Sequence, residues 1–83
     1  MGARVKFAPE WSYDIVSGIS RFGVRRIDNP EPRGWAWRGM DNRFYWRVAM
    51  ADSSRERGVS KTMDGARRAA VASARRMLSE ASK

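Results

Sequence analysis

Trp35-Ala36-Trp37-Arg38-Gly39-Met40-Asp41-Asn42-Arg43-Phe44-Tyr45-Trp46-Arg47-Val48-Ala49-Met50 alternates in side-chain character on both sides of a turn. Trp35 and Trp37 share one face of a short strand, and Phe44, Trp46, Val48 and Met50 share one face of a second. Gly39-Met40-Asp41-Asn42 supplies the turn between them. Neighbours on a strand point to opposite sides, so Ala36, Arg38, Tyr45, Arg47 and Ala49 are left for the other face.

Toward the C-terminus, Asp52-Ser53-Ser54 makes another turn and residues 55–61 form a third, mostly polar strand. Turns this short impose antiparallel pairing. Thr62 is a good helix N-cap, Asp64 places a negative charge in the first turn, and an alanine- and arginine-rich run continues to about Ala81. At helical spacing Met63, Ala66, Ala70, Ala74, Met77, Leu78 and Ala81 fall on one arc. That stripe is mainly small, so the helix axis can approach the sheet closely while Trp37, Trp46 and Phe44 fill the space from the sheet side.

Toward the N-terminus, Asp28-Asn29-Pro30-Glu31-Pro32-Arg33-Gly34 interrupts regular structure. Ahead of it Trp11, Tyr13 and Ile15 alternate with polar or smaller neighbours. Gly18 offers a turn, and Phe22 and Val24 continue the alternation, which suits a hairpin over residues 11–27; a short helix over residues 10–18 competes. The chain is thus expected to be one α+β domain spanning residues 1–83. It comprises a hairpin-like segment over 5–27, a proline-rich connection over 28–34 and a sheet-plus-helix over 35–81. Three to five antiparallel strands carry one C-terminal amphipathic helix packed on one face.

With 83 residues and no cysteine, apolar packing alone must offset the ordering entropy, and nine aromatic side chains are the means to do it. One of the four tryptophans, Trp11 or Trp35, is expected to be left exposed and to mark a dimer or partner interface, which leaves monomer and dimer open. The absence of cysteine suits a reducing compartment, and no apolar run suggests a signal peptide or membrane span. The expected setting is the cytoplasm, that of the host cell if the chain is phage-encoded.

The net charge of +8 is uneven. Residues 1–42 hold seven basic side chains against five acids, and residues 43–83 hold ten against four. A field of that sign concentrates anionic partners; simple solubility is its plainer explanation.

There is no histidine, no cysteine, no phosphate-binding glycine loop and no dinucleotide fingerprint, and the carboxylates are scattered singly through turns. The expectation is a binding protein without catalytic residues, metal or cofactor. Its basic side chains form two groups. Arg38, Arg43, Arg47, Arg55, Arg57 and Lys61 surround Tyr45 on and around the sheet. Guanidinium groups that grip phosphates or guanine edges, beside a ring that stacks on a base, suit nucleic acid. The alternative is a tyrosine that shields the sheet among solvated arginines. Arg68, Arg75 and Arg76, with Arg67, lie along one flank of the helix, where they either contact phosphate or an acidic surface or simply provide the polar face.

Three short strands followed by an amphipathic helix over residues 33–80, with Phe44-Tyr45-Trp46-Arg47-Val48, Arg57-Gly58-Val59-Ser60-Lys61-Thr62 and Gly65-Ala66-Arg67-Arg68-Ala69-Ala70, resemble a known DNA-binding domain. It is the small domain at the N-terminus of phage and transposon tyrosine integrases and in plant ethylene-response factors. The resemblance implies a sheet that enters the major groove and implicates Arg38, Tyr45, Arg47, Arg57 and Lys61. The N-terminal segment departs from that pattern, and no attached catalytic domain is expected. Gly58-Val59-Ser60-Lys61 with Ala66, Ala69 and Ala70 is similar to the end of the double-stranded RNA-binding domain, which however begins with a helix. In composition the chain resembles small phage and mobile-element accessory proteins, many of which inhibit a host protein. DNA is therefore the expected partner and RNA the second, with an acidic surface of a host protein as the competing class.

Overall fold

A computed structural model describes residues 9–23, 32–50 and 53–81, with backbone only at Ala81. The strands are β1 (Ser12–Asp14), β2 (Ile19–Phe22), β3 (Arg33–Arg38), β4 (Phe44–Ala49) and β5 (Arg55–Ser60); the helix is α1 (Met63–Ala81). The five strands pair antiparallel in chain order and α1 packs on one face of the sheet. This is the expected α+β arrangement, at the upper end of the expected strand number.

The β1–β2 segment is a hairpin and not the competing helix. Asp14 accepts hydrogen bonds from the Val16 amide (3.0 Å) and the Ser17 hydroxyl (2.9 Å), and Gly18 turns the chain at φ +73°. A carboxylate that captures the amide two residues on competes directly with helical hydrogen bonding. The expected extension of the second arm to Val24, residues 5–8, the 28–31 part of the proline-rich connection and Asp52 lie outside the described residues. Arg33 and Gly34, assigned to that connection by their composition, belong to β3. Pro32 stands just ahead of the strand, where its missing N–H interrupts no ladder.

The β3–β4 register corrects the expected facing of the tryptophans. Ala36 pairs with Trp46 and Gly34 with Val48, so the small residues of β3 face the helix. Trp35 and Trp37 pair with Arg47 and Tyr45 on the outer face. The core is built from Phe22, Val48, Ala70, Ala74 and Met77, with Trp11, Trp46, Met50 and Val71 packed against it. Small residues on both sides bring α1 close to β3, and the larger Phe22, Val48 and Trp46 fill the flanks. Trp46 lies so close over Gly58 that a Cβ there would meet the indole at 2.6 Å.

The helix begins as its sequence indicates. The Thr62 hydroxyl accepts the Gly65 amide at 2.9 Å, and the Thr62 carbonyl accepts the Ala66 amide at 3.0 Å. Two polar ties join α1 to the sheet. Glu56 of β5 accepts hydrogen bonds from Ser73 Oγ (2.6 Å) and from Arg76. Arg67 donates to Ser20 Oγ (2.7 Å) and lies 5.8 Å from the Trp11 ring centroid, while Trp11 meets Phe22 edge to face. Trp11 is thus taken up by packing beside the core.

Candidate nucleic-acid interface

Strand pairing determines which side chains share the outer face, because directly paired residues point the same way. From β2 to β5 that face carries Arg21, Arg33, Arg47, Arg55 and Arg57. Trp35, Trp37 and Tyr45 stand among them with Ile19, Ala49 and Val59. Among the residues of these four strands the outer face holds no carboxylate; Asp14, on the edge strand β1, is committed to its own turn, and Asp41, in the β3–β4 turn, reaches Tyr45. Five guanidinium groups therefore surround three aromatic rings.

Cross-strand pairs set the aromatic geometry. Trp37 and Tyr45 stack with ring centroids 6.0 Å apart and planes 20° from parallel. The Arg47 guanidinium lies over Trp35, 5.1 Å from the ring centroid. Trp35 and Trp37, with Ile19 and Arg47, line one shallow depression. Trp35 also borders a second depression that holds Arg21 and Arg33 beside Glu10, and Arg47 a third that holds Arg55 and Arg57 beside Glu56. Trp35 lines both the first and the second and Arg47 both the first and the third, so arginines flank the indoles on either side.

No protein-family model, curated protein or solved structure matches this chain.

Of the residues expected at the site, Tyr45, Arg47, Arg55 and Arg57 are brought together on this face. Arg43, in the β3–β4 turn, and Lys61, between β5 and α1, are exposed at its borders. Arg38 is not with them. It pairs with Phe44, which gives it the helix side of the sheet, and its guanidinium is bound to Asn42 Oδ1. The helix arginines Arg68, Arg75 and Arg76 also belong to the opposite side. Arg68 is paired with Asp64 and Arg76 with Glu56, so the acids missing from the helix flank are supplied by its first turn and by β5. Arg21, Arg33 and Trp37 join this surface beyond the expected set, and Trp35, one of the two tryptophans expected to stay exposed, stands on it half-buried; the length of the turn after Arg38 is the cue to both tryptophans.

Tyr45 is held from the turn side. Its hydroxyl donates to Asp41 Oδ2 at 2.5 Å, and its ring crosses Gly39 so tightly that a Cβ there would sit 2.4 Å from the ring. The Tyr45 hydrogen bond, then that from the Arg43 amide, hold the Asp41 carboxyl below its ordinary value; the same Asp41 contact raises the Tyr45 phenol above its own. The ring is thereby fixed beside Trp37 with its hydroxyl already satisfied.

Proposed function

We propose that this chain is a nucleic-acid-binding module whose contact surface is the outer face of the sheet. The observation that carries the reading is charge and ring placement: five arginines and three aromatic side chains share one face, and the outward-facing strand residues from β2 to β5 include no acid; Asp41, bound to Tyr45, and Glu10 and Glu56 lie at its margins. Guanidinium groups give phosphate contact, and rings give sequence-tolerant stacking. A face whose outward-facing strand residues carry five arginines and no acid favours polyanions over basic partners. Arg68 and Arg76, with their counter-charges Asp64 and Glu56, serve α1 and its attachment to β5, not this surface.

Fluorescence anisotropy with short labelled oligonucleotides, titrated at about 50 mM salt and again at about 200 mM, tests the proposal. Binding is expected at the lower salt and is expected to fall steeply at the higher. A folded Arg47→Ala/Tyr45→Ala variant is expected to bind at least about tenfold more weakly, because it loses one phosphate contact and one stacking ring. Absence of binding to any oligonucleotide at the lower salt refutes the proposal and favours an acidic protein partner.

A further inference from the structure

Resting on that reading, we infer that the ligand is an unpaired single strand whose bases stack at Trp35 and Trp37, not a duplex read in a groove. Two features of the sheet carry the inference, its width and the presentation of its rings.

The width argues against groove insertion. Five paired strands, spaced about 4.8 Å apart, span about 19 Å from first to last axis before twist is considered, and the six-residue central strands are about 17 Å long. The major groove is about 12 Å wide and admits a helix or a two-stranded ribbon. Trp35 and Trp37 stand on β3, the middle strand, with two strands on each side. A duplex resting across this face meets the arginines through its phosphates and leaves the central indoles unused.

The rings ask for something a duplex hides. Base pairs in a stack expose edges and keep their faces covered, whereas an indole gains most from a base face. Trp35 and Trp37 are two positions apart on one strand, about 7 Å, which is twice the 3.4 Å rise per nucleotide of B-form DNA. Adjacent bases engage both positions only when the stack between them has opened, as in a single strand. Each position is doubled across the strand pair. Trp37 is backed by Tyr45, and Trp35 by the Arg47 guanidinium, whose plane also accepts a base. The depression lined by both indoles is flanked by one that holds Arg21 and Arg33 beside Glu10 and by another that holds Arg55 and Arg57 beside Glu56, and these arginines offer the backbone phosphates cationic contacts before and after the stacked bases.

The test compares an unstructured 12-nucleotide DNA strand with the blunt duplex formed with its complement, by anisotropy against the intact chain. The single strand is expected to bind at least about tenfold more tightly, and Trp35→Ala/Trp37→Ala is expected to remove that preference while leaving weak duplex binding in place. If truncating both rings unfolds the sheet, the four indole N–H resonances of the intact chain, assigned with single Trp→Phe variants, provide the second readout. Those of Trp35 and Trp37 are expected to shift on adding the strand, and those of Trp11 and Trp46 to stay. Equal affinity for strand and duplex, or indole shifts absent at Trp35 and Trp37, overturns the single-strand inference and leaves the nucleic-acid proposal standing. Failure of both oligonucleotides to bind overturns both.

Discussion

At the scale of single residues, the Asp41–Tyr45 contact decides how firmly the aromatic part of the surface is held. Its pH limits follow from the two shifts. Asp41 is depressed below 3.8, so its contribution to folding is present above that value and is lost as pH falls through the lower folded-state value. Tyr45 is raised above 10.0, so its contribution is present below that value and is lost as pH rises through the higher folded-state value. Asp14, also lowered, chiefly by its Ser17 hydrogen bond, adds a second acid-sensitive turn at the β1–β2 end. In a Tyr13→Phe background, where Tyr45 is the remaining tyrosine, the tyrosinate absorbance is expected to develop at higher pH than in free tyrosine. Adding Asp41→Asn is expected to bring the midpoint down. A midpoint unmoved by Asp41→Asn would show that the carboxylate does not hold the phenol.

At the scale of elements, the β3–β4 and β4–β5 hairpins close in the same way. Gly39 N donates to the Arg43 carbonyl and Asn42 N to the Gly39 carbonyl; Met50 N and Ser53 N repeat the pattern with Ser54 and Met50. The residue before the closing position is left-handed in both, Asn42 at φ 64° and Ser53 at φ 73°. Asparagine tolerates that region, but serine pays a larger steric penalty there. Ser53→Gly is therefore expected to stabilise the fold by about 0.5 kcal/mol, a rise of about 2–4 °C in a thermal melt. Asn42→Gly is expected to bring less, because it also removes the acceptor of Arg38. The same turn explains what could be read in the sequence and what could not. The β3–β4 turn, the strand from Phe44, the Thr62 cap and the alanine stripe all rest on local signals, and all are found. The facing of Trp35 and Trp37 does not, because Gly34-Trp35-Ala36-Trp37 alternates equally well with either set inward. Only the register set by the turn chooses. With Arg38 opposite Phe44, Ala36 falls beside Trp46, and the rule that large apolar residues go inside fails for β3. Arg21 was hidden for a related reason: its face became visible only when β2 was paired to β3.

At the scale of the whole molecule, the sheet separates two populations of arginine that a net charge of +8 merges into one number. The outer population shares its face with no outward-facing strand acid from β2 to β5, whereas on the helix side Asp64 and Glu56 are ion-paired with Arg68 and Arg76. If net charge alone drew in the ligand, removing two charges from either side would weaken binding equally. If the outer face makes the contact, the sides are unequal, and two variants of identical charge distinguish them. Arg55→Gln/Arg57→Gln is expected to reduce the steepness of log K against log salt for a single strand by about 1.4, at about 0.7 for each phosphate no longer neutralised. Arg68→Gln/Arg75→Gln is expected to leave that slope unchanged and to lower affinity only slightly through the long-range field, an effect that fades beyond a Debye length of about 10 Å at 0.1 M salt. The slope is the deciding quantity because it counts displaced counterions at the contact, whereas affinity at one salt concentration mixes contact with distant attraction. Equal changes in slope for both variants would mean that the ligand wraps both sides of the sheet, and the outer face would lose its standing as the binding surface.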